Sequence, residues 1–239
     1  MRILVVNDDG INAEGIRYLA ETARQFGEVW VVAPDSQCSA MSQKITVNGP
    51  LVVKPVSFPV DDVKAYSVSG TPADCVKIAL QHLMTEKPDL VLSGINFGYN
   101  TGYDIFYSGT VGAAMEALIN GVPAIAFSKE PDASYAVVEQ YMPDIIRELM
   151  AEPELENEVW NVNFPGCEPD ELKGILRNRV PAKKLYYPNC YKCVKRDDEG
   201  GFELVVEGRA AKEAETGTDI QAVLDGYISI GKVKNSILA

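Results

Sequence analysis

Arg2-Ile3-Leu4-Val5-Val6-Asn7-Asp8-Asp9-Gly10 opens the chain directly behind Met1. Residues 3–6 are apolar without a polar break, as expected of a strand buried on both faces. Two adjacent carboxylates and a glycine close the run. Negative charges that close together repel unless a cation lies between them or one takes up a proton. The stretch therefore predicts a buried parallel strand with a cation site at its carboxyl end. Adjacent aspartates before glycine also occur in plain turns, so these residues alone leave both readings open.

Outward from this stretch, strand and helix signals alternate. Ile16, Leu19, Ala20, Ala23 and Phe26 keep helical spacing and predict an amphipathic helix over about 14–26. Short apolar runs at 29–33, 65–68, 89–92, 123–127 and 159–162 read as strands. Helices are expected at 72–84, after Ser108-Gly109-Thr110, and over about 134–150. Thr71 with Pro72 and Asp74 is a strong helix start: a cap, a proline in the first turn, and an acid. Ser93 to Asn100 reads as a loop rich in turn residues. The alternation predicts an α/β fold, a mostly parallel sheet covered on both faces.

Residues from about 175 to 210 are more polar. Leu185-Tyr186-Tyr187 and residues 202–206 look like short β pieces around the turn at Asp197–Gly201, which predicts a hairpin insertion. A short helix is expected between Thr218 and Gly226, followed by an extended stretch over 227–230.

Composition excludes several classes. The 239 residues are 46% apolar and 23% charged, a globular balance. No apolar stretch reaches the ~20 residues of a membrane span, and nothing of signal-peptide type follows Met1-Arg2, so the cytoplasm is the expected location. The formal net charge of −12 disfavours a large nucleic-acid surface. The same charge means that a phosphate substrate needs a local positive element, such as a metal ion or helix N-termini. Five cysteines, an odd number, argue against a disulfide framework, and Cys190-Tyr-Lys-Cys193 lacks the second ligand pair of a structural zinc site.

Candidate chemistry gathers after the strands. Asn7, Asp8 and Asp9 follow the first, Asp35, Ser36 and Ser39 the second, and Ser93, Asn96 and Asn100 the run at 89–92. Open parallel sheets bind ligands at this edge. The donors are all oxygens, which suits a hard divalent ion such as Mg²⁺, Mn²⁺ or Ca²⁺. Ser108-Gly109-Thr110 at a helix start can take a phosphate on backbone N–H groups and hydroxyls, although Ser and Thr are also ordinary caps. There is no P-loop and no Gly-x-Gly-x-x-Gly. His82, the single histidine, lies within a helix, which leaves Asp8 and Asp9 as the catalytic candidates. An aspartate nucleophile ranks below hydrolysis by water, because the haloacid-dehalogenase pattern is Asp-x-Asp.

Taken in order, several motifs resemble the SurE (survival protein E) nucleotidases: the Asn7-Asp8-Asp9-Gly10 stretch; Ala33-Pro34-Asp35 with Ser39; Ser69-Gly70-Thr71-Pro72-Ala73-Asp74; Ser93-Gly94-Ile95-Asn96-Phe97-Gly98-Tyr99-Asn100; Tyr107-Ser108-Gly109-Thr110-Val111; Asn161-Val162-Asn163-Phe164-Pro165; and Gly217-Thr218-Asp219. The resemblance implies a single domain over 1–239, with a Rossmann-like three-layer core at about 1–165 and a hairpin and oligomerisation region at about 175–239. It implies a divalent-metal-dependent phosphatase acting on nucleoside 5′- and 3′-monophosphates, assembled as a homodimer or homotetramer. It assigns one ion, Mg²⁺ or Mn²⁺ with Ca²⁺ as a crystal substitute, to Asp8, Asp9, Ser39 and Asn96. The phosphate goes to Asn96, Ser108, Gly109 and Thr110. The chain departs from the family at Cys38, where a basic residue is usual, at Ala40-Met41 in place of Gly-Ala, and at Gly231-Lys232-Val233 in place of Thr-Pro-Leu. A non-catalytic nucleotide- or metal-binding module on the same scaffold is the alternative.

Overall fold

The computed structural model describes residues 1–152 and 157–238. The first strand, β1 (Arg2–Val6), leads through α1 (Glu14–Ala23) to β2 (Glu28–Pro34). There follow β3 (Val53–Pro55), β4 (Val63–Val68), α2 (Pro72–Ile78), β5 (Leu90–Phe97), α3 (Gly109–Ile119), β6 (Ala124–Lys129), α4 (Ala136–Ala151) and β7 (Glu158–Phe164). The remainder is β8 (Ile175–Arg179), β9 (Asn189–Arg196), β10 (Phe202–Gly208), α5 (Asp219–Leu224) and β11 (Ile228–Lys234).

Among the described residues these form a nine-stranded sheet in the order β3-β4-β2-β1-β5-β6-β7-β11-β8 and a separate two-stranded ribbon, β10-β9. β4, β2, β1, β5, β6 and β7 pair in parallel; β3 and β11 enter antiparallel. The fold is α/β with a mostly parallel sheet, as the alternation predicts, and Rossmann-like, as the resemblance implies.

Period-two geometry explains the unbroken apolar run of β1. Ile3 and Val5 pack with Ile16, Leu19 and Met142 of α1 and α4 on one face. Leu4 and Val6 pack with Val76, Val111 and Ala114 of α2 and α3 on the other. Both faces are covered, so Ile3 to Val6 are all apolar.

The chain moves outward from β1 to β2 and β4, then returns to the other side of β1 to lay down β5. The strand order therefore reverses between β1 and β5. Loops leaving the carboxyl ends of such a pair diverge and open a crevice, and Asp8, Asp9 and Asn96 stand there.

Several expectations are corrected. The stretch from Ser93 does not turn away as a loop: β5 continues to Phe97, with Asn96 opposite Ser128 and Phe97 opposite Lys129 on β6. An irregularity between Ser93 and Asn96 hid this, and only glycine fits it. Gly94 sits at φ +136°, and a Cβ there would lie 2.3 Å from the Phe127 carbonyl. The helix expected over 72–84 is α2 followed by a wider π-helical turn at Ala79–Leu83, and α1 stops at Ala23 rather than near 26. Leu185-Tyr186-Tyr187 is not part of the ribbon, since Leu185 makes only an isolated bridge to Gly102. β3 and β8 had no apolar run to announce them. β11 runs four residues past Ile230, where Lys232 and Lys234 break the apolar pattern but remain paired to β7.

Candidate active site

The loop after β1 is closed on itself. The Asn7 side chain donates to the Gly10 carbonyl (2.9 Å) and accepts from the Gly10 N–H (3.2 Å). Ile11 N–H donates to the Pro34 carbonyl at the end of β2, and Cys38 N–H to the Asp8 carbonyl. These bonds hold the Asp8-Asp9 backbone over the β1–β5 crevice.

The two carboxylates are anchored in different directions. Asp8 is buried, and its Oδ1 accepts from the Thr110 hydroxyl at 2.5 Å. Asp9 Oδ2 accepts from the Phe97 N–H at 2.9 Å. Burial pushes the Asp8 carboxyl up to about 6; the Thr110 hydrogen bond opposes this and the Asp9 charge adds to it. Burial also raises Asp9, against hydrogen bonds from Phe97 and Gln37. Among the described residues no Lys or Arg forms an ion pair with either. An unneutralised pair, one carboxylate buried and the other half-buried, is the electrostatic setting that a cation relieves.

The start of α3 closes on Asp8 from above. Ser93 Oγ donates to the Thr110 carbonyl at 2.7 Å, tying the helix to β5. A Cβ at Gly109 would lie 2.9 Å from Asp8 Cβ and 3.0 Å from its Oδ2, so only glycine permits this approach. Ser108 caps the helix by accepting from Val111 N–H at 3.0 Å. Its own O–H stays available as a donor. The N–H groups of Gly109 and Thr110 have no acceptor inside the helix. The Thr110 hydroxyl is committed to Asp8, so of this residue only the backbone N–H is free for an anion.

An open cavity of about 390 Å³ gathers Asp8, Ser39, Asn96, Asn100, Tyr107 and Ser108. Ser39 is exposed on the loop after β2. The Asn96 Nδ2 donates to the Gly98 carbonyl at 2.7 Å, which turns its Oδ1 the other way. Asp9 instead lines a second cavity, of about 550 Å³, across a wall made by Phe97 and Pro131, which border both spaces.

The donor set fits a hard divalent ion. Two carboxylates, an amide oxygen and a hydroxyl are all oxygen ligands. Among the described residues no cluster of three or more His, Cys, Asp or Glu could hold a metal, so soft-ligand sites do not fit. Cys190 and Cys193 lie three residues apart on β9, on opposite faces of the ribbon, and share no site. His82 is exposed on the Ala79–Leu83 turn.

A family model described as Survival protein SurE matches residues 3–185. The chain belongs to the SurE family. A protein from Clostridium botulinum (strain Kyoto / Type A2), named 5′-nucleotidase SurE, is 41% identical over 234 residues, 96% of this chain and 91% of its own. A protein of the same name from Paramagnetospirillum magneticum (strain ATCC 700264 / AMB-1) is 43% identical, covering 96% of this chain and 88% of its own. The crystal structure of a SurE protein from Aquifex aeolicus matches with a TM-score of 0.83 at 37% identity, over 98% of this chain and 93% of that one.

Within this SurE chain, a buried amide cluster lies behind the crevice. Asn100 N–H donates to Asn163 Oδ1, Asn100 Nδ2 to Ser128 Oγ, and Asn161 Nδ2 to the Asn100 carbonyl. It fixes the chain beyond Gly98. A signal for it exists in the sequence: Asn161 and Asn163 are two apart on an otherwise apolar strand, hence on one buried face. The Thr110–Asp8 bond, spanning more than a hundred residues, has no local signal.

Proposed function

We propose that this SurE chain is a divalent-metal-dependent phosphomonoesterase that hydrolyses nucleoside 5′- and 3′-monophosphates to nucleoside and phosphate. The observation that carries the reading is the unneutralised Asp8-Asp9 pair at the β1–β5 crevice, with Asp8 sharing one cavity with Ser39, Asn96 and Ser108 at the start of α3. The relatives' name, 5′-nucleotidase SurE, supports the hydrolysis of nucleoside 5′-monophosphates.

Asp8, Asp9, the Asn96 amide oxygen and the Ser39 hydroxyl would hold the ion. When bound, a divalent ion supplies Lewis-acid polarisation of a phosphate oxygen and a water of lowered pKa. The chain's own residues do the rest. Thr110 fixes the rotamer of Asp8, and the Phe97 N–H fixes that of Asp9. The backbone N–H groups of Gly109 and Thr110, with the Ser108 hydroxyl, donate to phosphoryl oxygens as charge develops on them. With His82 elsewhere, the proton of the attacking water goes to a carboxylate of the pair.

The test is phosphate release from a panel of nucleotides with Mg²⁺, Mn²⁺ or EDTA. Release is expected with either metal and not with EDTA. Asp8→Asn and Asp9→Asn are each expected to lower it by about 100-fold or more while the thermal midpoint stays near wild type. Near-normal turnover in both variants would overturn the reading. Metal binding without release from any nucleotide would leave a binding module.

A further inference from the structure

We infer that the second cavity, on the Asp9 side of the Phe97–Pro131 wall, receives the nucleoside half of the substrate while the phosphate occupies the first. The inference rests on the phosphomonoesterase reading and deepens it.

The two cavities meet at one wall and differ in chemistry. The first offers the start of α3, with N–H donors suited to an anion. The second is lined by the Glu14 carboxylate, which repels a phosphate, and by Asp9, which the ion would engage. Its one ammonium, Lys129, is spent: Nζ donates to the carbonyls of Glu130 (2.7 Å), Pro131 (3.1 Å) and Ala133 (2.7 Å). An ammonium has three protons to give, and all three are used. The space therefore suits an uncharged molecule, not an anion.

Its walls suit a base and a sugar. Phe97 is 57% exposed, a large apolar ring standing at the boundary of both cavities. Tyr18 and Tyr135, stacked with ring centroids 4.2 Å apart, form a rigid side that shows the cavity ring edges, since Arg17 lies over the Tyr18 ring and Lys129 over the Tyr135 ring. An exposed aromatic ring such as that of Phe97 accepts any base through its π-face. Gln37, whose amide donates to Asp9, keeps its carbonyl oxygen for a base edge, and Glu14 brings a carboxylate acceptor for sugar hydroxyls. The cavity, at about 550 Å³, is also the larger of the two. A substrate whose phosphate lies at Asp8 and whose nucleoside lies beyond Phe97 would span the metal ligands, which places the scissile bond beside them.

The experiment separates this placement from the activity itself. Ser134, exposed at the rim, is replaced in Ser134→Trp to fill the cavity, and Tyr135→Ala removes part of its aromatic side. Thermal melts check that both fold. Phosphate release is measured from a nucleoside monophosphate and from glycerol phosphate, and adenosine binding is measured by calorimetry. Both variants are expected to raise the nucleotide KM by about tenfold or more. They are expected to weaken adenosine binding by a similar factor and to leave glycerol phosphate hydrolysis unchanged. Equal effects on the two phosphate substrates, or unchanged adenosine binding in Ser134→Trp, would overturn the placement. So would a nucleotide-selective loss in Tyr107→Trp, on the first cavity, with none in Ser134→Trp. Failure of wild type to hydrolyse either substrate would sink the activity reading, while the adenosine measurement still decides the placement.

Discussion

The Thr110 hydroxyl donates to Asp8 Oδ1 and so sets which oxygen Asp8 would turn toward the proposed ion. Outer partners of this kind typically change metal affinity by roughly 10–100-fold. Thr110→Val is expected to weaken Mn²⁺ binding by about that factor, and Thr110→Ser, which restores the donor, to recover most of it. Titration of the metal by calorimetry checks both. Gly109→Ala tests the approach of α3 from the other side. Its added methyl falls 2.9 Å from Asp8 Cβ, so either the helix start or the carboxylate must move. A displacement of about 1 Å can cost 100-fold in rate, and a loss of that order in kcat is expected. At this scale the position of the carboxylate pair was legible, because an unbroken apolar run marks the strand whose carboxyl end carries it. Thr110 looked like a cap or a phosphate donor, since nothing near residue 110 reveals a partner in the first strand.

At the scale of elements, the start of α2 was fully legible and carries more than a cap. Thr71 and Asp74 form a reciprocal capping box, and Asp74 also accepts from the N–H and hydroxyl of Thr46. Burial alone would raise the Asp74 carboxyl, but the hydrogen bonds from Thr46 and Thr71 outweigh it and hold it below its usual value. The sign follows from linkage. A carboxyl lowered in the folded state stabilises above its unfolded value, and that stability is lost as pH falls through the folded value. Asp74→Asn is therefore expected to be less stable by roughly 2–3 kcal/mol at pH 7. The gap to wild type should close below the unfolded value of 3.8. Urea midpoints between pH 7 and 2.5 measure it; a constant gap would contradict the assignment. The elements that escaped the sequence did so for physical reasons. β5 passes through turn-type residues because β6 supplies its partner, and β8 is held by pairing to β11 rather than by its own apolar pattern.

At the scale of the molecule, the β9–β10 ribbon stands outside the main sheet, and every residue of β10 is exposed. Tyr191 is 68% exposed and its cross-strand partner Val206 62%; Phe202 and Leu204 are also exposed. A two-stranded ribbon alone is marginal in water, and an apolar ribbon more so. The ribbon therefore needs cover. The family resemblance assigns it to contacts between copies, and the acidic chain does not prevent this, because the ribbon carries basic residues on β9 and acidic ones on β10. Lys192 pairs with Glu207, and Arg196 lies over the Phe202 ring. Self-association through this element would bury the apolar pairs while the charged rim keeps register. Wild type is expected to sediment as a dimer or tetramer. Tyr191→Asp combined with Val206→Asp places like charges directly opposite one another on one face, which disfavours both the ribbon and its contact. The double variant is expected to sediment as a smaller species, with metal affinity retained because Asp8, Asp9, Ser39 and Asn96 all lie on the main sheet and its loops. A monomeric wild type, or a variant of unchanged mass, would show that the ribbon is covered by something other than a second copy.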